Sequence, residues 1–212
     1  MLKSRLLSLS LLATLIAMPA FAQTGTPSAP PVADTNNSDL NRDVYQQNRI
    51  EQGLKSGQLS TGEAAQLENG EKRIDNAEAR ALKNGDTPAE QAHIQQMENA
   101  ESTKIYDDKH NSVTGNPNSA SSERMQNDVQ RNANQEKRID NGVKNGSLTD
   151  REAGQLEHGQ AKVDRAEYKA GKNGHVSARE QAGIQGKENH QSKRIYRKKH
   201  NDTTTTPPAT TN

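Results

Sequence analysis

The sequence predicts an all-α fold made of two tandem three-helix repeats, each a small antiparallel helical bundle. Three observations carry this: an internal duplication, four glycine turns each followed by a capping box, and apolar residues at helical spacing. The duplication comes first. Arg49-Ile50-Glu51, Gly57-Gln58-Leu59-Ser60 and Gln66-Leu67-Glu68 recur 89 residues later as Arg138-Ile139-Asp140, Gly146-Ser147-Leu148-Thr149 and Gln155-Leu156-Glu157. One residue is inserted near Gly174, and the shift becomes 90: Glu90-Gln91-Ala92 matches Glu180-Gln181-Ala182. A register held across a whole unit marks a repeat.

Each copy divides again at glycine. Gly57, Gly85, Gly146 and Gly174 stand where a helix can end on a left-handed residue. Two or three residues later come Ser60 with Glu63, Thr87 with Glu90, Thr149 with Glu152, and Ser177 with Glu180. In each pair the hydroxyl can accept from an unpaired N–H of the new helix while the carboxylate reaches back to the cap. Pro88 follows Thr87 at a first helical position, where its missing N–H does no harm.

These marks place helices over 41–56, 61–83 and 88–109, and over 125–144, 150–172 and 178–199. In the middle helix Ala64, Leu67, Ile74, Ala77 and Ala81 form a narrow stripe, repeated as Ala153, Leu156, Val163, Ala166 and Ala170. The expected organisation is a signal peptide over 1–22, a flexible leader over 23–40, repeats over 41–111 and 124–201, a linker over 112–123 and a disordered Thr/Pro tail over 202–212.

The first segment carries Lys3 and Arg5, then an apolar run from Leu6 to Met18, then Ala20-Phe21-Ala22. That is the pattern of a cleaved secretory signal, with the mature chain starting near Gln23 in the periplasm or outside the cell. The run is shorter than the roughly 20 residues a spanning helix needs, so no transmembrane anchor is expected. The mature chain is polar, with 7 Leu, 7 Ile, 7 Val and no Phe from Gln23 on, and predicts a thin core of modest stability. No cysteine is present to staple it.

Both copies end alike, in Ile105-Tyr106 with Lys109-His110-Asn111 and Ile195-Tyr196 with Lys199-His200-Asn201. With the glycine turns and the Leu-Ser or Leu-Thr helix starts, this ending resembles a group of small exported proteobacterial proteins. The resemblance spans both repeats and implies an exported bacterial protein. It transfers no catalytic residue.

For chemistry the sequence offers little. It has no cysteine, no Gly-x-Ser-x-Gly elbow, no His-Glu-x-x-His and no phosphate-binding glycine loop, so an enzyme is not expected and no cofactor is called for. Carboxylates on helices this polar are expected to be solvated or paired at i, i+4, and a buried acid pair is not expected. Glu90-x-x-His93 has the spacing of di-iron bundles, but its counterpart in the second copy is Gly183. The duplicated His110 and His200, with Asp107 three residues before the first, are the candidate ligands for a weakly held transition metal. A helix C-terminus favouring positive groups explains the same histidines without a metal.

Charge separates the copies. Residues 42–111 hold 9 basic and 13 acidic side chains, and residues 124–200 hold 17 and 10. The copies could therefore attract each other, within a chain or between chains. Lys193, Arg194, Arg197, Lys198 and Lys199, with Tyr196 among them, are the candidate surface for a polyanion or an anionic envelope component. The functional expectation is an exported binding or stress-protection module acting through polar helix surfaces. The alternatives are a weak transition-metal or cation binder and a polyanion binder.

Overall fold

A computed structural model describes residues 38–201. The expected signal peptide, the leader up to residue 37 and the tail beyond Asn201 lie outside the described residues. Six helices follow in order: α1 Ser38–Ser56, α2 Thr61–Asn84, α3 Pro88–His110, α4 Ala120–Lys144, α5 Asp150–Gly171 and α6 Ala178–Lys199. The described residues contain no strand, and none of their helices is long and apolar enough to cross a membrane.

The turns are built as their residue types dictate. Gly57, Gly85, Gly146 and Gly174 have φ of 75°, 105°, 71° and 81°, the left-handed region where a Cβ is penalised. At the start of α2, Ser60 Oγ accepts from the Glu63 N–H at 3.2 Å while Glu63 Oε2 accepts from the Ser60 N–H at 2.9 Å. The same reciprocal pair opens α3 at Thr87 and Glu90, α5 at Thr149 and Glu152, and α6 at Ser177 and Glu180.

Helix α4 starts earlier than its sequence pattern suggests, at Ala120, inside the expected linker. Ser119 caps it by accepting from the Ser122 N–H at 3.1 Å. Tertiary contacts then hold the first turn: Ser121 Oγ accepts from the Val176 N–H at 2.7 Å, and Arg124 donates to the Val176 carbonyl at 2.9 Å. A local pattern of serines does not announce such a partner 55 residues away.

The repeats pack on each other. α2 lies antiparallel on α5 in the most extensive contact of the bundle, and α1 lies on α4. Small residues permit the α2–α5 approach: a Cβ at Gly171 would meet the Ala65 methyl at 2.8 Å, and one at Gly154 would meet the Ala79 carbonyl at 3.0 Å. α3 covers α1 and α2, and α6 covers α4 and α5, so the halves are related by a pseudo-twofold axis. Apolar clusters span the repeats. One joins Ile50, Leu54, Leu59, Leu67 and Ile105 to Met125, Val129, Val163, Val176 and Ile184. Another joins Leu40 to Ile139, Leu148, Leu156 and Ile195.

The shared ending now has a structural account. Ile105 and Ile195 are fully buried. Tyr106 stacks on His110, and Tyr196 on His200, each with ring centroids 4.1 Å apart. Asn111 Nδ2 donates to Glu63 Oε1 at 2.8 Å, and Asn201 Nδ2 to Glu152 Oε1 at 2.6 Å. The ending of each repeat is thus tied to the capping glutamate that starts its own middle helix.

Candidate metal centre

The faces of α2 and α5 that meet are acidic. Along α2, Glu68, Glu71, Asp75 and Glu78 are spaced 3-4-3, the spacing that puts side chains on one seam of a helix pair. Along α5 the matching positions are Glu157, Gln160, Asp164 and Glu167. α1 adds Asp43 and Gln47, and α4 adds Asn132 and Glu136 at the same repeat positions. Asp43, Glu68, Glu71, Asp75, Glu78, Glu136, Glu157, Asp164 and Glu167 are each at most 3 % exposed. No lysine, arginine or histidine among the described residues is buried.

This overturns the expectation that the carboxylates are solvated or paired along one helix. Helices packed along an acidic seam bury their acids whatever the intrinsic hydrophilicity. Burial is the main cause that pushes the carboxyl groups of Asp43, Glu71, Asp75, Glu78, Glu157, Asp164 and Glu167 well up from their ordinary range. Repulsion from neighbouring carboxylates adds to it. Glu68 and Glu136 rise to about 7, again through burial, and at Glu68 the rise is eased by the Gln47 amide. Cationic side chains reach only the rim. Arg42 meets Glu98 at 2.8 Å, and Arg131 meets Glu188 at 3.3 Å, each within its own repeat. Even so, burial lifts Glu98 and Glu188 to about 8.

Oxygen atoms converge at three places. Asp43, Glu78 and Glu157 bring carboxylate oxygens within 4.8 Å of one another, as do Asp75, Glu136 and Glu157, and Glu68, Asp164 and Glu167. Oxygens about 2.3–2.6 Å from a shared ion span distances of this order, and an all-oxygen donor set suits calcium, magnesium or manganese. Both carboxylate oxygens of Asp43, Glu71, Glu78 and Glu157 have no hydrogen-bond donor. The buried side-chain carbonyls of Gln46, Gln47, Asn132 and Gln135 have none either. Such orphaned acceptors are costly unless a proton or a cation meets them.

The flanking helices shape this core. Gly70 on α2 lacks the Cβ that would collide with Glu101 Oε2, so the Glu101 carboxylate crosses from α3 over α2. Glu101 is itself raised to about 7, mainly by burial. In the second repeat Gly159 makes room for Gln191, which donates to the Leu156 carbonyl at 2.7 Å.

The sites expected from sequence lie elsewhere. Asp107, His110 and His200 are exposed. His110 Nδ1 is 2.7 Å from the Tyr106 carbonyl, and His200 Nδ1 is 2.7 Å from that of Tyr196, so each histidine closes its helix end. Glu90 is engaged in the α3 capping box, and His93 is exposed. The basic cluster is partly used in packing: Arg194 donates to the Gln155 carbonyl at 2.9 Å, Lys199 to that of Arg138 at 3.0 Å, and Lys198 lies 3.9 Å from Glu152. Lys193, Tyr196 and Arg197 face solvent. The 3-4-3 acidic pattern, repeated at a shift of 89, was the signal in the sequence for the buried seam.

No family model, curated protein or solved structure matches the chain.

Proposed function

We propose that the protein binds hard divalent cations in the carboxylate seam between its two repeats, as an exported, non-enzymatic helical module. The observation that carries this reading is the set of nine buried seam carboxylates with no buried cationic side chain among the described residues to balance them. Protons or metal ions are the remaining sources of positive charge. An ion at three converging carboxylates supplies it without a side chain having to enter the core. Export, expected from residues 1–22, would place the seam where calcium is plentiful and where even modest affinity suffices. The reading keeps the cation-binding expectation and moves it from the surface histidines to buried oxygens.

A ligand that binds the native state alone stabilises it, by about 2.7 kcal/mol at a hundred times its Kd. Thermal unfolding near neutral pH, with calcium and then with EDTA, tests the proposal. A melting temperature that climbs with calcium and falls back with EDTA supports it. Superimposable melts across millimolar calcium and EDTA would defeat it.

A further inference from the structure

The pseudo-twofold axis relates two halves of the seam that are not chemically equal. In one half, Asp43, Asp75, Glu78, Glu136 and Glu157 are all acids, and Glu157 belongs to both of the oxygen triads found there. In the other half the same positions are Asn132, Asp164, Glu167, Gln47 and Glu68. Two acids have become amides. Those amides donate: Asn132 Nδ2 to Asp164 Oδ1 at 2.9 Å and to Glu167 Oε2 at 2.8 Å, and Gln47 Nε2 to Glu68 Oε2 at 3.0 Å. The second half therefore carries its own internal donors.

The all-acid half has no such brace. Both oxygens of Asp43, Glu78 and Glu157 lack donors, and all three residues are at most 2 % exposed. A further observation comes from a neutral side chain. Gln160, fully buried, lies on α5 one turn beyond Glu157 and beside Glu136, and neither its carbonyl Oε1 nor its Nε2 has a hydrogen-bond partner. A carbonyl oxygen held in an acceptor-lined core without a donor is suited to a cation.

Resting on the proposed cation-binding function, we infer that the all-acid half is a two-ion centre in which the Glu157 carboxylate bridges two divalent cations. One ion is held with Asp43 and Glu78, and the other with Asp75 and Glu136. Two divalent charges nearly balance five carboxylates, and a shared carboxylate separates ions that would otherwise repel each other. The amide-braced half, centred on Glu68, binds more weakly because its donors already occupy the oxygens an ion needs.

Manganese(II) added to chelator-stripped full-length protein provides the test, by equilibrium dialysis for stoichiometry and by electron paramagnetic resonance for pairing. The expected result is two tightly bound ions per chain with an exchange-coupled spectrum. Glu157→Gln abolishes the coupling, whereas Glu68→Gln retains it. Circular dichroism confirms that each variant is helical. If Glu157→Gln does not fold, Asp43→Asn serves in its place and leaves one tight ion with the uncoupled six-line signal. The reciprocal variant Asn132→Asp with Gln47→Glu creates a second coupled pair. Tight binding with only uncoupled ions, or coupling lost in Glu68→Gln and kept in Glu157→Gln, overturns the two-ion centre and leaves cation binding intact. No binding of manganese or calcium at all overturns both.

Discussion

Asp75 and Asp164 occupy the same position in the two repeats, and their carboxyl groups meet at the centre of the seam. The pseudo-twofold axis therefore passes between two acids. One of a pair of touching carboxyls must carry a proton, or a cation must lie near both, for the contact to persist. The same choice recurs along the whole seam. It links duplication to function: one acidic helix face, copied and folded against itself, produces a concentrated set of oxygen ligands.

Stability in chelator should fall as pH rises. A carboxyl whose pKa is raised by folding holds its proton more tightly in the native state than in the unfolded chain. The native state is then favoured below the unfolded pKa, about 4, and loses that advantage as pH climbs through the folded value. Glu101 and Asp128 rise to about 7, and Glu98 and Glu188 to about 8, in each case chiefly through burial. Urea midpoints in EDTA should decrease steadily between pH 5 and pH 8.5. Midpoints that increased over that window would contradict the buried, uncompensated acids.

Glu71→Gln should stabilise the chelated protein. Glu71 lies in the seam outside the three oxygen triads, with both carboxylate oxygens lacking a donor. Its mate Gln160 shows that glutamine fits the corresponding place. Burial and the neighbouring carboxylates disfavour the charged form of Glu71, so its removal should give a higher urea midpoint at pH 8. A lower midpoint would show that Glu71 is balanced by something the seam does not reveal.

Gly146→Val should lower the melting temperature by about 2–8 °C, because a β-branched residue resists the left-handed turn. Gly146 has φ 71°, and its mate Gly57 has φ 75°. Differential scanning calorimetry measures the effect. An unchanged transition would mean that the turn relaxes to another form at no cost.

Gly70→Ala should perturb the seam from the outside. The added methyl would collide with the Glu101 carboxylate, which is 5 % exposed and would have to swing aside. The expected loss is about 1–3 kcal/mol, in line with overpacking elsewhere. Glu101→Ala in the same chain should recover part of it, and a double-mutant cycle that showed no coupling would exclude this contact.

The helical fold was largely legible because its signals are local. Ser60 with Glu63, and Gly57 before them, act within one turn of chain, so their meaning survives without knowledge of the rest. The start of α4 was not legible, since Ser121 owes its place to Val176. The burial of the seam is hidden from the sequence for a related reason. Glu68, Glu71, Asp75 and Glu78 have the spacing of a packed helix face, but their chemistry suggests water. Only the facing copy, with Glu157, Asp164 and Glu167, shows that spacing outweighs side-chain type here. The sequence does not show that His110 and His200 each stack on a tyrosine at a helix end, because that contact depends on the helix geometry.

Calcium titrated calorimetrically into the chelator-stripped protein near pH 7.5 tests the central claim most directly. Binding to carboxyls with raised pKa displaces protons, so the heat should be saturable and should change with the ionisation enthalpy of the buffer. Two tight ions per chain with proton release are the expected result. A titration without saturable heat in any buffer, with the protein folded throughout, would contradict it.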